Sequence, residues 1–526
     1  MFYSPKLSLS DILGSDYTQS VIEALSVLSV MDAEKAAAIA DEKVDFYPEA
    51  DQKKNDDLLN KVGTQVIKPF NNCNKGAPTD SYSKASNYAS SPITGIGNMR
   101  IGEDGRLYLI GKSEHYHSSL GHHFNGYKLI NNARKLGILN ATHNNTRGYI
   151  TRLAERELVR TANGIGKDDE SALKKVLSSN EAKILNRVIN LETGSLAVEA
   201  GIKMMLARFY KLSAEFPDTK HHGKIPVFLV MQDIKGGKEA NYHGTTVTAQ
   251  TFRGLWPEYY EKIERAGVYK IVTVAINDIE DFKEKLREYN SGDYKTAGFI
   301  HEIVLMNYGG IRLDEEYLHQ AYELCAEYDT PTMADEIQSC MWYKGMYLFR
   351  LYNLNPDFVV GKGFPGGEYP ASKIITTAEM DTLNQFGALV TNGQEELASL
   401  AYLITMAFAE ANGEKIEKYG IQFETELRLI GEQFPNMIDK VEGQGHLCAV
   451  HFKDIDTAAE FVKLLGSKCI DASVQIYKKN CPPAVLLKPP VIASPTVLHY
   501  IADNIAASLK EIKALLSSVL RRQAYY

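Results

Sequence analysis

Long apolar runs are missing from this chain: no stretch of its 526 residues approaches the roughly 18 consecutive apolar positions a membrane-spanning helix needs. The first residues, MFYSPKLSLSDILGSDYTQ, mix acids with short apolar groups. They lack the basic start and continuous apolar core of a secretory leader. Cysteine is sparse, with six residues (Cys73, Cys325, Cys340, Cys448, Cys469, Cys481) in neither CxxC pairs nor a framework spacing, which favours reduced thiols over a disulfide scaffold. Positive charge is short as well. The net charge of -8 leaves no electrostatic footprint for nucleic acid or an anionic membrane. These absences point to a cytoplasmic protein whose partners are neither nucleic acid nor membrane.

What is present is ordinary globular composition, 44% apolar and 24% charged, in a chain long enough for two or three domains. Residues 1–90 hold two helical patterns, SVIEALSVLSV and DAEKAAAIADEKV, and then the polar stretch KGAPTDSYSKASNYASSP. They read as an N-terminal helical extension and linker. Residues 91–143 form a further N-terminal segment expected to pack with the small domain. From 144 to 390 short apolar runs (IPVFLVM, VYKIVTVAI, GFIHEIVLM, PTMADEI, DFVVG) alternate with amphipathic helices. That alternation predicts an α/β large domain with a mostly parallel sheet covered on both faces. Residues 391–526 open with a helix expected to end at Gly413 and continue as a smaller α+β domain.

Four features fall at the ends of predicted strands, where open α/β sheets bind ligands. TGS at 193–195 opens the helix SLAVEAGIKMMLARFY. Its unsatisfied N–H groups suit an anion, although alone Ser195 reads as a plain N-cap. NYHGTTVT at 241–248 sets Tyr242 and His243 before Gly244, an aromatic that could stack on a planar ligand or simply cover the core edge. MADEIQ ends an apolar strand on Asp335 and Glu336, with Gln338 close behind. Such an aspartate could pair with a protonated ring nitrogen or cap the next segment. In DFVVGKG, Lys362 follows a strand directly, where partial desolvation frees its amine as a nucleophile. Phosphate site, stacking aromatic, aspartate and lysine together describe one ligand, pyridoxal 5'-phosphate.

The same residues carry a family resemblance across about four-fifths of the chain. DGRLYLIG, LGHHFN, TGSLAVEAGIKM, YHGTT, HEIVLMNYGGI, ADEIQ and PDFVVGKGFPGGEYP occur in the order of the corresponding segments of class III (ω-amino acid) pyridoxal-phosphate aminotransferases. The resemblance implies fold type I and a homodimer. It implies transfer of an amino group from a primary amine, amino acid or ω-amino acid to an oxo-acid through a Lys362 Schiff base. By the same likeness Asp335 pairs with the cofactor ring nitrogen and Gly194 and Ser195 hold its phosphate. Tyr242 stacks on the ring beside His243, Gln338 approaches the ring oxygen, and Thr391 reaches the partner subunit's cofactor.

Two positions depart from the pattern. Leu486 stands in VLLKPP where the family often has a carboxylate-gripping arginine, with Lys488 two residues on. Glu302 matches the glutamate that pairs with that arginine, so it is expected to lack its partner, and the two residues mark the substrate end of the site. Thr245 replaces the turn arginine. Other activities on the same fold remain open (a decarboxylase, racemase or aminomutase). So does a metal hydrolase using His115, His117, His122 and His123, or a silent scaffold, although no metal is expected. His221 and His222 read as solvated loop residues.

Overall fold

The structure is a computed structural model, and it describes residues 1–70, 74–113, 119–140, 143–362, 369, 371–391, 393–475 and 478–523. For Lys362 it describes the backbone alone. Seven strands build the large sheet: β1 (Leu185–Leu191), β2 (Ile225–Met231), β3 (Lys270–Val274), β4 (Tyr294–His301), β5 (Thr332–Glu336), β6 (Phe358–Lys362) and β7 (Ser372–Thr377). They lie in the order β1-β7-β6-β5-β4-β2-β3, and β7 alone runs antiparallel to both its neighbours.

Side-chain alternation explains why these runs are apolar throughout. Successive residues of a strand point to opposite faces. Phe228, Val230, Met333, Phe358, Val360 and Ile374 pack on one face with Val198, Ile202 and Met205 of the helix Gly194–Leu206. Their neighbours Val227, Leu229, Ala334, Val359 and Ile375 join the larger core on the other face. A sheet buried on both sides leaves no polar stripe, as expected of parallel strands joined by crossover helices.

A second, antiparallel sheet of four strands (Ile438–Gln444, Leu447–Phe452, Ala484–Leu487, Ser473–Val474, in that spatial order) packs with the helices Ile455–Ser467 and Pro495–Gln523. One helix, Glu396–Gln433, connects the two sheets. It does not stop at Gly413. The glycine is buried, and a Cβ there would lie 3.5 Å from Lys344 Cα, so the helix runs on past the Lys344–Gly345 backbone. Glycine costs an α-helix about 1 kcal/mol, less than the apolar face formed by Phe408, Ile416, Phe423 and Leu427 contributes by burial.

The two N-terminal helical patterns are helices, Ser15–Val27 and Ala33–Ala40. This segment is docked onto the rest of the chain. The Tyr3 N–H donates to Asn412 Oδ1 at 2.7 Å, and Asn412 Nδ2 donates back to the Tyr3 carbonyl at 2.9 Å. Phe2 packs edge-on to Tyr419, ring centroids 5.3 Å apart. Arg100, on the strand Met99–Gly102 of a small three-stranded sheet, forms a two-pronged pair with Asp471, at 2.9 and 2.7 Å.

Candidate active site

The carboxyl ends of the parallel strands converge along one edge. Asp335 pairs with Val360 and Glu336 with Gly361, so Lys362 lies one residue beyond the β5–β6 pairing. In turn Lys362 pairs with Ser372, and Ser372 with Leu191 at the end of β1. Register alone therefore brings the Asp335, Lys362 and Thr193–Ser195 segments to one side of the sheet.

At the end of β1, Thr193 and not Ser195 caps the helix Gly194–Leu206, its hydroxyl accepting from Leu196 N–H. Ser195 falls inside the first turn because the extended backbone that a cap requires belongs to Thr193, with φ -137° and ψ 153°. That frees the Ser195 hydroxyl, which accepts from Thr245 N–H at 3.0 Å and lies 3.3 Å from the Thr245 hydroxyl. Gly244 makes this approach possible. It sits at φ +120°, and a Cβ there would come within 2.6 Å of Ser195 Cα. Gly194 is equally tight, since a Cβ would meet Ile337 Cδ1 at 2.6 Å.

Asp335 is buried, and so is His243, whose Nδ1 lies 2.7 Å from Asp335 Oδ2. An ionised carboxylate only accepts, so Nδ1 carries the proton of this bond. Asp335 Oδ1 accepts from Ile337 N–H at 3.0 Å. Each carboxylate oxygen keeps one lone pair for a further donor. The next residue, Glu336, accepts from Ser339 and from Phe349 N–H at 2.6 Å, and burial pushes its carboxyl up to about 7.

Gln338 is half-buried and accepts from the Lys488 ammonium at 3.1 Å. Lys488 is buried and rests over the Trp342 ring, 4.1 Å from its centroid. Glu302 is also buried, and neither of its carboxylate oxygens has a partner in hydrogen-bond geometry among the described residues. Burial first, and then the charge of Asp335, hold its carboxyl well above the usual range; Lys478, the Met306 backbone and Lys488 offset this only partly.

Tyr242 is half-buried, with the Arg253 guanidinium 4.8 Å over its ring. Thr391 is exposed and makes no hydrogen bond among the described residues. Arg253 and Lys478 escaped the sequence reading, because no motif marks them and only the fold carries them to the Glu302–Tyr242 region. The Lys478 pKa is lowered by burial to about 8, and its Nζ donates to the Asn307 carbonyl.

Of the four histidines weighed as metal ligands, His115 and His117 lie outside the described residues. His122 is lowered to about 4 by burial and by Arg100, and His123 is exposed. Neither belongs to a potential metal cluster among the described residues, where the one such group is Glu426, His499 and Asp503 at the surface. His221 is not solvated as expected. It packs against Phe209, and its Nε2 lies 3.3 Å from Asp329, because the loop folds back onto the end of the neighbouring helix.

The class-III aminotransferase family model matches residues 139–508. The chain belongs to the class-III aminotransferases. Membership makes it a pyridoxal-phosphate-dependent aminotransferase. It is 25% identical over 326 residues to an acetylornithine aminotransferase of Clostridium acetobutylicum, an alignment covering 60% of this chain and 75% of the relative. It is 31% identical over 186 residues to an ornithine aminotransferase of Plasmodium chabaudi chabaudi, covering 34% of this chain and 44% of that one. Among solved structures, the ornithine aminotransferase of Toxoplasma gondii superposes with a TM-score of 0.63 at 19% identity, covering 84% of this chain and 97% of that chain. The adenosylmethionine-8-amino-7-oxononanoate aminotransferase of Methanocaldococcus jannaschii does so with 0.63 at 20%, covering 87% and 99%. At such identities the superpositions show the fold, which is that of the pyridoxal-phosphate aminotransferases.

The donor set of this aminotransferase fits its cofactor. Two hydroxyls and helix N–H groups converge at Gly194–Ser195, close to a buried aspartate with spare acceptor capacity and to a buried His243 Nε2 that has no partner among the described residues. No helix among the described residues is long and apolar enough to cross a membrane.

Proposed function

We propose that this aminotransferase moves an amino group from a primary amine, amino acid or ω-amino acid to an oxo-acid, with Lys362 as the residue that holds the cofactor. The observation that carries the reading is the buried His243–Asp335 pair, on the strand paired with that of Lys362 and at the same sheet edge as the Ser195 hydroxyl cluster. Pyridoxal phosphate, when bound, supplies an aldehyde that takes up the amine and a ring that withdraws electrons from the adjoining carbon.

The chain's own residues do the rest. Gly194, Ser195 and the first-turn N–H groups take the phosphate, aided by the helix dipole. Asp335, kept oriented by His243 and Ile337 N–H, holds a proton on the ring nitrogen. Tyr242, backed by Arg253, covers the ring, and Gln338 approaches its oxygen. With pyridoxal phosphate bound, Lys362 would hold it and its amine would serve the proton transfer as base and then acid. Lys488 and Glu302 face the substrate, with Lys488, bonded to Gln338, standing in for the cation that Leu486 cannot supply. Ornithine-like ω-amino donors are candidates, a reading supported by relatives that are ornithine and acetylornithine aminotransferases.

Thr391 has a role only in a homodimer, where it reaches the partner's cofactor. The reading also keeps a cytoplasmic location and the division into 1–90, 91–143, 144–390 and 391–526. The test is a panel of amine donors and oxo-acid acceptors followed by the cofactor's absorbance. A productive donor converts the cofactor to its amino form and an oxo-acid restores it. If donors release carbon dioxide, or racemise without that conversion, a decarboxylase or racemase replaces the proposal.

A further inference from the structure

A cavity of about 410 Å³ opens away from the residues discussed so far. It lies between the loop after the helix Tyr149–Ala162 and the turn before the short helix Leu348–Leu351. Three cations line it: Arg160, Lys167 and Arg350. Arg160 is fully engaged, with Glu157 at 2.8 Å, Glu410 at 2.7 Å and the Ile165 carbonyl at 2.8 Å. Lys167 pairs with the other oxygen of Glu410 at 3.2 Å.

Arg350 differs. No carboxylate pairs with it among the described residues, and its one hydrogen bond runs from Nη1 to the Thr161 carbonyl at 3.1 Å. Its guanidinium lies against two glycines. A Cβ on Gly164 would fall 2.0 Å from Nη2, and one on Gly345 would fall 3.4 Å from Nη1. Arg350 also borders a second cavity, of about 280 Å³, whose other cation, Lys183, is already paired with Asp357 at 2.6 Å.

A half-buried guanidinium pays a desolvation cost that a carbonyl offsets only in part, whereas an oxyanion can accept two parallel bonds from it. Burial accordingly pulls the Arg350 guanidinium below the usual arginine range. Gly166 and Lys167 line the same cavity. The N–H groups of Gly166 and Lys167 make no hydrogen bond among the described residues, and space beyond Gly166 is open, since a Cβ there would meet nothing within 4 Å.

We propose that Arg350, with the Gly166–Lys167 backbone, forms a binding site for a multiply charged oxyanion group of a small molecule, either a phosphate or a polycarboxylate. Arg350 and the backbone N–H groups bind the oxygens, and Lys167 turns from Glu410 to add charge at the rim. The segment carrying Arg350 is also tied to the active-site edge, because Phe349 N–H donates to Glu336, the neighbour of Asp335.

Calorimetric titration of the holoenzyme, saturated with pyridoxal phosphate so that the Ser195 phosphate site is filled, tests this. Inorganic phosphate and citrate are the two probes, and they separate the two sources of the oxyanion. The expected result is saturable binding of one probe per chain, weakened at least fivefold by Arg350→Gln and by Gly166→Asp. The second variant adds negative charge to open space and decides the matter alone if the first does not fold. Absence of saturable binding of either probe, or a smaller change in a folded variant, overturns the site.

Discussion

At the scale of single residues, the site rests on a few buried polar groups with defined partners. Asp335 has lost most of its water and is compensated by His243 and the Ile337 N–H, and in the proposed function it pairs with the ring nitrogen. Replacing it with Asn keeps the shape and removes the charge. Asp335→Asn is expected to lower kcat at least a hundredfold, about 2.7 kcal/mol of barrier; steady-state assay with added cofactor checks this, and a change under tenfold would contradict it. Glu336 gives a pH signature. Its carboxyl titrates at about 7 in the fold against 4.5 when free, with burial outweighing Ser339 and the Phe349 and Leu348 N–H groups. The folded chain thus keeps this proton to higher pH than the unfolded one, and its contribution to stability falls as pH rises from 4.5 to about 7. The urea midpoint of wild type should therefore drop relative to that of Glu336→Gln across this window; parallel curves would contradict the assignment. Asp335, His243, Ser195 and Gln338 were readable as residues in motifs. Their partners were not, because the Asp335–His243 bond and the Lys488–Gln338 bond join segments far apart in the chain.

Elements were legible where burial follows a simple period. The unbroken apolar runs became the parallel strands because both sheet faces are covered, and their carboxyl ends carry the motif residues. The helix through Gly413 was not legible, since local chemistry signals a stop and only tertiary burial overrides it. Two glycines on that helix separate the effects. At Gly420 a Cβ would lie 2.8 Å from the buried His446 ring and 3.1 Å from Gly445 Cα. Gly420→Ala is therefore expected to destabilise by about 1–3 kcal/mol. Gly413→Ala meets only ordinary contact at 3.5 Å, and should be neutral or stabilising by up to about 1 kcal/mol. Urea denaturation of the two variants checks the contrast, and equal losses would contradict it.

Across the whole molecule, the least legible feature is the docking of the first residues, whose composition suggested only helices and a linker. Phe2 is buried among Tyr47, Phe408 and Tyr419, and its N–H donates to Gln52 at 2.8 Å. Phe2→Ala should cost about 3–5 kcal/mol, seen as a lowered thermal midpoint; an unchanged midpoint would mean that the segment adds nothing to stability. The fold itself brings the strand ends, the Ser195 turn and the β5–β6 register to one edge, and the central claim is that Lys362 at this edge carries the cofactor. Borohydride reduction of the holoenzyme followed by peptide mapping tests that most directly. The account predicts the cofactor fixed on the peptide containing Lys362, and label found instead on Lys373 or Lys488, or on no lysine, would contradict it.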